Sequence, residues 1–435
     1  MTGIDWQPVA PPEKIHVAVR TFAFAGDHTE VIAKAGTDLF GADPVVAARA
    51  GCLAMAGPAL WAFRTAAPGQ ARLAIASRLA EPGSALAHQL AYFALVPFDP
   101  GQCESLISVP HLALHLEGTQ GRLVCAAHSS QAASRAVQDA LKCLAALPAT
   151  SAAKPVPLPT TQKNSVADFS YPVPDSTWLA TAQTAIERIR SGELQKLVLS
   201  RRAFLPRDIQ IDPRHGLSAL AAQYPGALAF AFSNLIGVSP ELLVSKNGNF
   251  WQSHPLAGTA PAGSEHNLLA SAKDNHEHRI VVNHIRERLG AISERMESPS
   301  TPSITRYGQI SHLGTPIKGF LASHAASSMD LLLRIHPTPA VAGTPQGHAI
   351  SVIQEIEEEP RQYYAGAFGV ENLAGDGQWH LVIRTVALGT EDLELQAGVG
   401  LVAESDPAAE LAEVRAKLGS MLPIVAAPPS PLPFA

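Results

Sequence analysis

The second half of the chain alternates between helix-like and strand-like hydrophobic patterns. After Ser176, a residue type that caps helices, apolar residues recur at three- and four-residue intervals until Gly192, which predicts one helix. Residues 194–201 then read Leu-Gln-Lys-Leu-Val-Leu-Ser-Arg, in which Lys196 is followed by an apolar run over 197–199. Such a run is typical of a buried strand, and it places a lysine among leucine and valine side chains.

Shorter apolar runs follow this strand. Residues 227–232 and 235–238 are predicted to be strands, and residues 242–245 are predicted to pair with 250–253 across an Asn-Gly turn. Asn-Gly between two apolar runs is the strongest short-range hairpin signal. This part of the chain therefore favours antiparallel pairing.

The later elements complete the pattern. Residues 268–296 are predicted to form one long amphipathic helix, and residues 379–388 and 393–402 are predicted to be strands with a turn between them. A last helix is predicted to begin at Ser405-Asp406-Pro407, because a capping residue is followed by proline in the first turn. Hairpins interspersed with helices favour an α+β fold over a doubly wound parallel sheet.

Composition divides the chain into four parts. Residues 1–150 mix short apolar runs with Gly and Pro turns, and they carry no chemistry that the sequence identifies. Residues 151–175 are rich in Pro, Ala, Thr and Ser, which is typical of an extended connector. Residues 176–423 carry nearly all of the motifs, and residues 424–435 are predicted to be a disordered tail.

The overall composition excludes several classes of protein. The chain has 435 residues, of which 46% are hydrophobic and 16% charged, so it must bury a large core. A net charge of −6 without long charged runs argues against nucleic acid as a partner. Neither a signal peptide nor an apolar stretch long enough to span a membrane is evident, so we expect a cytoplasmic protein.

Lys196 is the first candidate for chemistry. Burial removes the hydration that an ammonium group needs, so a buried lysine can supply a neutral amine, and hence a general base, near neutral pH. The alternative is a lysine at the edge of a strand that reaches water with its long side chain. The sequence of the strand alone does not decide between these two interpretations.

Five carboxylates are the next candidates. Asp274 and Glu277 are three residues apart on the long predicted helix, and Glu410 and Glu413 repeat this spacing on the last one, so each pair shares a helix face. Two such faces, opposed, would repel each other without a cation, and carboxylates suit Mg²⁺. Two solvated helix faces are the alternative. Glu241 follows a proline that fixes its approach, and apolar surroundings would raise its pKa so that it keeps a proton to donate.

Six motifs in this order resemble those of the chorismate-utilising enzymes, and the similarity runs from about residue 178 to residue 421. The motifs are Lys-Leu-Val-Leu-Ser-Arg at 196–201, Ser-Pro-Glu-Leu-Leu at 239–243, Pro-Leu-Ala-Gly-Thr at 255–259, Lys-Asp-Asn-His-Glu-His at 273–278, His-Pro-Thr-Pro-Ala at 336–340 and Gly-Val-Gly-Leu-Val at 398–402. The resemblance implies a fold of two large, mainly antiparallel sheets packed together with helices outside. It also implies chorismate as the small-molecule substrate, Mg²⁺ as the cofactor and a monomeric protein.

The resemblance also assigns roles to individual residues. It implies that Lys196 is the base that activates water and that Glu241 is the acid that protonates the departing hydroxyl. Glu277 and Glu413 would hold Mg²⁺, with Asp274 and Glu410 beside them. Chorismate carries two carboxylates, which cationic side chains and glycine backbone N–H groups can bind. The implied substrate-binding residues are Gly258, Thr259, His336, Thr338, Arg384, Gly398, Gly400 and Lys417.

Three features favour one activity within this family. Members that transfer ammonia do not use a lysine base at the position of Lys196, and Ala257 stands where common aminodeoxychorismate synthases have a nucleophilic lysine. Both point to water as the nucleophile, and the segment 336–340 is similar to that of isochorismate synthases. Isochorismate synthase is therefore the leading hypothesis. Salicylate synthase, which adds pyruvate elimination, is the first alternative, and a non-catalytic chorismate-binding homologue is the second.

Overall fold

A computed structural model describes most of the chain. It covers residues 9–23, 45–49, 52–57, 59–81, 84–117, 119–145, 168–206, 217, 220–221, 224, 226–308 and 310–422, with the backbone alone for residues 45–49 and 52–55. The predicted tail at 424–435 and most of the predicted connector at 151–175 lie outside these residues. Both of these assignments stay predictions.

The larger sheet has eleven strands among the described residues, and all neighbours are antiparallel. In spatial order, with strands numbered along the chain, they are β1 (His16–Ala23), β8 (Gln120–Ala127), β7 (Leu112–Glu117), β3 (Cys52–Ala56), β2 (Val45–Arg49), β10 (Leu228–Phe232), β11 (Leu235–Ser239), β22 (Thr385–Leu388), β23 (Asp392–Leu401), β9 (Lys196–Pro206) and β19 (Gly343–Thr344). Strands from the first 150 residues and from the later part of the chain therefore share one sheet.

A second antiparallel sheet has nine strands in the described part of the chain. Its order is β15 (Ser293–Glu297), β18 (Ile317–Leu321), β13 (Phe250–His254), β12 (Leu242–Asn247), β21 (Gly377–Leu381), β20 (Ala367–Asn372), β5 (Ala91–Val96), β6 (Ser105–Pro110) and β4 (Ala59–Thr65). A small third sheet contains β14 (Leu256–Pro261), β17 (Ile310–Gly314) and β16 (Ser303–Tyr307).

Helices pack against these sheets. The described helices are α1 (Ala71–Ala76), α2 (Ser130–Ala145), α3 (Asp175–Arg190), α4 (Glu265–Ala270), α5 (Ala272–Gly290), α6 (Ser328–Ile335), α7 (Gln346–Ile356) and α8 (Pro407–Gly419). Helix α8 lies on β23, α5 lies on β14, and α2 lies on β1 and β8. This architecture confirms the predicted α+β fold with two large, mainly antiparallel sheets. None of the helices in the described ranges is both long and apolar enough to cross a membrane.

Stacked aromatic rings join the two large sheets. Phe230 on β10 stacks on Phe368 on β20, with ring centroids 4.7 Å apart, and Phe232 meets the same ring edge-on at 5.8 Å. All three side chains are buried. Offset and edge-to-face contacts of this kind add to the stability gained by burial. The sheets therefore pack face to face through this cluster.

The local signals of two elements predicted the observed structure. The predicted hairpin forms from β12 and β13, and Gly248 takes the positive φ of 60° that its turn requires. Helix α8 begins as predicted, because the side chain of Asp406 accepts a hydrogen bond from the N–H of Ala409 and Pro407 occupies the first turn.

The prediction of one helix over 268–296 is wrong at both ends. Ser271 separates α4 from α5 and caps α5 by accepting a hydrogen bond from the N–H of Asp274. Beyond Gly290 the chain turns into β15, which pairs with β18. Ile292 and Met296 are four residues apart and fit a helical pattern equally well, so pairing with a distant strand decided the outcome.

The predicted strand over 379–388 is also interrupted. Strand β21 belongs to the nine-stranded sheet and β22 to the eleven-stranded sheet, so the chain crosses from one sheet to the other between them. Arg384 lies at this crossing with a φ of 51°, a conformation that is uncommon for a residue with a side chain. The crossing brings Arg384 to the cavity described below.

Candidate active site

One cavity collects most of the predicted site residues. It encloses about 910 Å³, counting its open mouth, and it lies where β9, β23, α5 and α8 meet. The predicted site residues that line it are Glu241, Gly258, Thr259, Asp274, Glu277, Arg384, Gly398, Gly400, Glu410, Glu413 and Lys417. Residues far apart in the sequence thus meet at one place, as the resemblance implied.

Lys196 lies immediately behind this cavity. It begins β9, its side chain has no exposed surface, and its Nζ is 2.8 Å from Oε1 of Glu277, which lines the cavity. The interpretation as an edge lysine that reaches water is therefore wrong. The buried strand predicted from the apolar run is the reason, because it carries the side chain inward.

Gly400 makes the contact between Lys196 and Glu277 possible. A Cβ atom at this position would lie 2.1 Å from Oε1 of Glu277 and 2.9 Å from Cε of Lys196. Both distances are far below van der Waals contact, so a side chain at this position would displace the pair. The structure thus assigns Gly400 a spatial role in addition to the predicted binding of an anion by its backbone.

The other carboxylates of the cavity also have cationic partners. Lys273 forms an ion pair with Glu410, and Nζ of Lys417 lies 2.8 Å from Oε1 of Glu413. Burial raises the pKa of Glu410 despite its lysine. For Glu277 burial acts in the same direction, but the surrounding lysines outweigh it and lower the pKa.

Asp274 completes the acidic set. Burial raises its pKa, and the nearby charges of Glu277 and Glu413 add to the effect, although a hydrogen bond with Ser271 opposes it. Gly258, with a φ of 71°, lies against this residue, because a Cβ there would be 3.0 Å from Cβ of Asp274. The two acidic pairs predicted from helical spacing therefore face one cavity and not bulk solvent.

The donor atoms suit a hard cation, although they are not gathered around one point. Within the described ranges, no group of three His, Cys, Asp or Glu side chains is arranged to hold a metal ion. Carboxylate oxygens are the ligands that Mg²⁺ prefers, and four acidic side chains besides Glu241 line the cavity. The set therefore fits Mg²⁺ in chemistry, while three of its members are paired with lysines in this arrangement.

Glu241 differs from these acids because it keeps its proton. It lies between β11 and β12, it is 2% exposed, and its Oε1 has no hydrogen-bond partner. Burial raises its pKa to about 8, although the N–H of Leu256 and the charge of Lys196 oppose the shift. A carboxyl group with this pKa is protonated at neutral pH and can act as a general acid.

Arg384 is held by a histidine that the sequence analysis missed. Its NH2 is 2.7 Å from Nε2 of His312, and Nδ1 of this histidine is 3.1 Å from the carbonyl oxygen of Gly258. Because a guanidinium can only donate, Nε2 must accept and Nδ1–H must donate to the carbonyl. Burial, with the charges of Arg384 and Lys417, keeps the pKa of His312 well below its usual range, which agrees with a neutral ring.

Arg384 and Lys417 are the basic side chains that line the cavity together with Lys273. Burial lowers the pKa of Arg384 to about 10, which still leaves it protonated at neutral pH. Nζ of Lys417 donates to the carbonyl oxygen of Gly398 at 2.9 Å. The cavity therefore offers a local positive field within a protein whose net charge is negative.

Two of the predicted substrate contacts lie elsewhere. His336 is buried, and its Nε2 is 2.8 Å from the carbonyl oxygen of Pro97, while Thr338 has no exposed surface. Neither residue lines the cavity, whereas Ala340 and Val341 from the same segment do. His336 and Thr338 are buried behind the wall that Ala340 and Val341 form, and their assignment as substrate-binding residues stays a prediction.

The family follows from comparison with known proteins. Residues 85–426 match the model of the family described as chorismate binding enzyme. The chain belongs to this family. The resemblance predicted from the six motifs is thereby confirmed.

Several similar proteins within this family are isochorismate synthases. The chain is 35% identical to isochorismate synthase DhbC from Bacillus subtilis over 288 residues, which are 62% of this chain and 68% of that protein. It is 36% identical to isochorismate synthase EntC from Escherichia coli over 245 residues, or 53% and 62% of the two chains. The solved structure of MenF, the menaquinone-specific isochorismate synthase of Escherichia coli, shares the fold, with a TM-score of 0.75 at 23% identity over 97% of both chains.

Proposed function

We propose that this chorismate-binding enzyme is a Mg²⁺-dependent isochorismate synthase, which adds water at carbon 2 of chorismate while the hydroxyl leaves carbon 4. The observation that carries the proposal is that one cavity has both a fully buried lysine, Lys196, and a carboxyl group with a pKa of about 8, Glu241. The names of the relatives DhbC and EntC support the same activity. The expected monomeric state and cytoplasmic location stay predictions.

The charged groups of the cavity suit a dianionic ring. Arg384 and Lys417 would bind the two carboxylates of chorismate, since both line the cavity and Arg384, with a pKa of about 10, stays cationic at neutral pH. The neutral His312 holds the guanidinium of Arg384 in one orientation. Fixed cationic donors recognise carboxylates with defined geometry and hold the ring in one position for reaction.

Base and acid would divide the proton transfers between them. Lys196 would accept a proton from the attacking water as the bond between oxygen and carbon 2 forms, and Glu241 would donate its proton to the hydroxyl that leaves carbon 4. The number of protons on the enzyme is then unchanged by one turnover. Lys196 would act in its neutral form, so the charged pair with Glu277 is not the reactive state.

The acidic set would hold the metal. We assign Glu277 and Glu413 as its ligands, with Asp274 and Glu410 beside them, because all four carboxylates line the cavity. When bound, Mg²⁺ would offset the negative charge of these residues and bind a carboxylate of the substrate. The lysines that pair with the acids would then be free to contact the substrate.

Product analysis tests the proposal. The purified protein is incubated with chorismate and Mg²⁺, and the products are separated by liquid chromatography with mass detection. Isochorismate as the only product is the expected result. Salicylate together with pyruvate would identify a salicylate synthase, and binding of chorismate without turnover would identify a non-catalytic homologue.

Replacement of the base tests the assigned role of Lys196. Lys196→Ala is expected to lower kcat by roughly 10²–10⁴-fold, the usual contribution of general acid–base catalysis, while calorimetry still detects chorismate binding. Lys246→Ala is the matched control, because Lys246 is also buried and pairs with Asp376 at 2.8 Å on the nine-stranded sheet. Full activity of Lys196→Ala would remove this residue from the chemistry.

A further inference from the structure

One face of the β9–β23 strand pair lines the active cavity and continues beyond it as far as Arg202 and Glu394. Side chains alternate between the faces of a strand, and directly paired residues of antiparallel neighbours share a face. The pairs Val198–Gly400, Ser200–Gly398 and Arg202–Gln396 therefore lie on one face. Lys196 and Glu394 extend this face at opposite ends, whereas the alternate residues, such as Leu199 and Leu395, belong to the hydrophobic core.

Two glycines turn this face into a trough. Gly398 and Gly400 leave β23 without side chains on this face for two successive positions. The hydroxyl of Tyr364 and Cγ1 of Val198 bound the space over Gly398, since a Cβ there would be 3.1 Å from each of them. At the inner end the carboxylate of Glu277 and Cε of Lys196 lie over Gly400, 2.1 Å and 2.9 Å from where a Cβ would be.

A separate cleft begins at the outer end of the trough. It encloses about 420 Å³ including its mouth, and Arg202, Ala387 and Glu394 are among the residues that line it. The side chains of Arg202 and Glu394 form an ion pair at 3.4 Å and are each 16% exposed, so this end reaches solvent. Tyr364 and Gln396 line both this cleft and the active cavity. These two side chains therefore separate the two spaces.

The groups along the trough can hold water. Gln396 is 6% exposed, and its Nε2 donates to Oγ of Ser200 at 2.8 Å. Amide, hydroxyl and backbone groups of this kind provide the hydrogen bonds that ordered water needs in a protein interior. The polar groups follow one another from the Arg202–Glu394 pair toward Lys196, and Val198 is the apolar member of this face.

We propose that this trough is a water inlet, an inference that rests on the proposed function. The reaction forms a bond between a water oxygen and carbon 2, with the proton passing to Lys196, and it breaks the bond between carbon 4 and its hydroxyl, which leaves as water with the proton of Glu241. One water is consumed and one is released in each turnover while the ring fills the cavity from its mouth. The trough supplies the incoming water at the end where the base lies.

Plugging the outer cleft tests the inlet without touching the active cavity. Ala387 lines the outer cleft but not the active cavity, and it is partly exposed. Ala387→Leu therefore adds bulk to the cleft only. Ala387→Ser, which is similar in size to wild type, is the control. For Ala387→Leu we expect kcat to fall by about tenfold, while KM and the Mg²⁺ requirement stay unchanged. This pattern indicates that a step after substrate binding has become slower and that chorismate still binds normally. Gln396→Met, which removes the amide from the dividing wall, should act in the same direction.

A second readout does not depend on rates. A crystal structure of Glu241→Gln with chorismate and Mg²⁺ is expected to show ordered water between Gln396 and Gly398. A dry or closed trough in that complex would overturn the proposal, as would wild-type kcat in both Ala387→Leu and Gln396→Met. If the wild-type protein forms no isochorismate, the proposed function fails and the inlet fails with it. If it does form isochorismate and the plugged variants are unaffected, the inlet alone fails.

Discussion

Two buried glutamates in this protein have opposite surroundings. Glu371 on β20 has no exposed surface; its Oε1 accepts from the hydroxyl of Tyr92 at 2.8 Å, and its Oε2 accepts from the hydroxyl of Ser328 and the N–H of Met329, both at 2.7 Å. Glu241 is 2% exposed, yet its Oε1 has no partner. Both side chains are buried, but both carboxyl oxygens of Glu371 have hydrogen-bond partners, whereas one oxygen of Glu241 has none.

The difference separates a structural carboxylate from a chemical one. Glu371 joins strand β5 to the start of helix α6, and Trp379 adds a hydrogen bond to the same serine hydroxyl at 3.0 Å. Glu241 borders the active cavity, where an unsatisfied acid lowers stability but can give its proton to a ligand. A buried group with a strongly shifted pKa in a cleft is the pattern expected of a functional residue.

Glu241→Gln should give the largest effect on catalysis. The amide keeps the shape of the carboxyl group but cannot donate the proton that the leaving hydroxyl needs, so kcat should fall by roughly 10²–10⁴-fold. The free energy of unfolding at pH 7 should rise, because wild type must take up a proton on this side chain when it folds, whereas the amide is uncharged in both states. Steady-state kinetics and urea unfolding measure the two quantities, and a variant that retains a tenth of the activity would exclude the assigned acid.

Gly400→Ala should come next and should act on the metal. The added Cβ would meet the carboxylate of Glu277 at 2.1 Å, so the variant should bind Mg²⁺ roughly 10–100-fold more weakly, as when the support of a metal ligand is lost. Titration calorimetry with Mg²⁺ alone measures this affinity. Gly347→Ala is the matched control, because a Cβ there meets nothing within 4 Å. Equal affinities in the two variants would contradict the spatial role of Gly400.

Glu371→Gln should reverse the pattern of Glu241→Gln. The NH2 group of the glutamine cannot accept hydrogen bonds, so the donors that Glu371 now binds lose an acceptor. We expect a loss of roughly 1–3 kcal/mol in the free energy of unfolding, with kcat within about twofold of wild type. Urea unfolding followed by two probes gives the first value. A larger loss of activity than of stability would show that Glu371 serves the reaction.

The pH dependence should give the smallest and most graded effect. The pKa of Glu241 is raised from 4.5 to about 8 in the folded protein, so the activity should decline as the pH rises through about 8 and the acid loses its proton. Between these two pKa values the folded state holds a proton that the unfolded state releases, so the stability contributed by this group is complete below 4.5 and is lost as the pH rises toward 8. Unfolding of Glu241→Gln over the same range should show a shallower decrease.

Local sequence predicted the parts of the site that depend on local rules. The apolar run around Lys196 predicted a buried strand, and three-residue spacing placed Asp274 beside Glu277 on one helix face. Periodicity within one element is sufficient for both. The ordered motifs added the family, and with it the assignment of Glu241 as an acid.

Contacts between distant segments account for what the sequence did not reveal. His312 lies on a short strand, and its partners Gly258 and Arg384 are 54 and 72 residues away along the chain. No periodic pattern relates such positions. The same holds for residues 293–297, whose spacing fits a helix and whose pairing with β18 makes a strand.

The shared sheets carry a practical consequence for dissecting this protein. Strand β10 pairs with β2, and β20 pairs with β5, so the first 150 residues cover an edge in each large sheet. A fragment starting at residue 176 would expose two rows of backbone amides and carbonyls beside the rings of Phe230 and Phe368, and bare strand edges of this kind recruit other chains. The predicted catalytic residues all lie in the later part of the chain, but this part needs the first 150 residues to cover its sheet edges. An isolated C-terminal fragment should therefore aggregate.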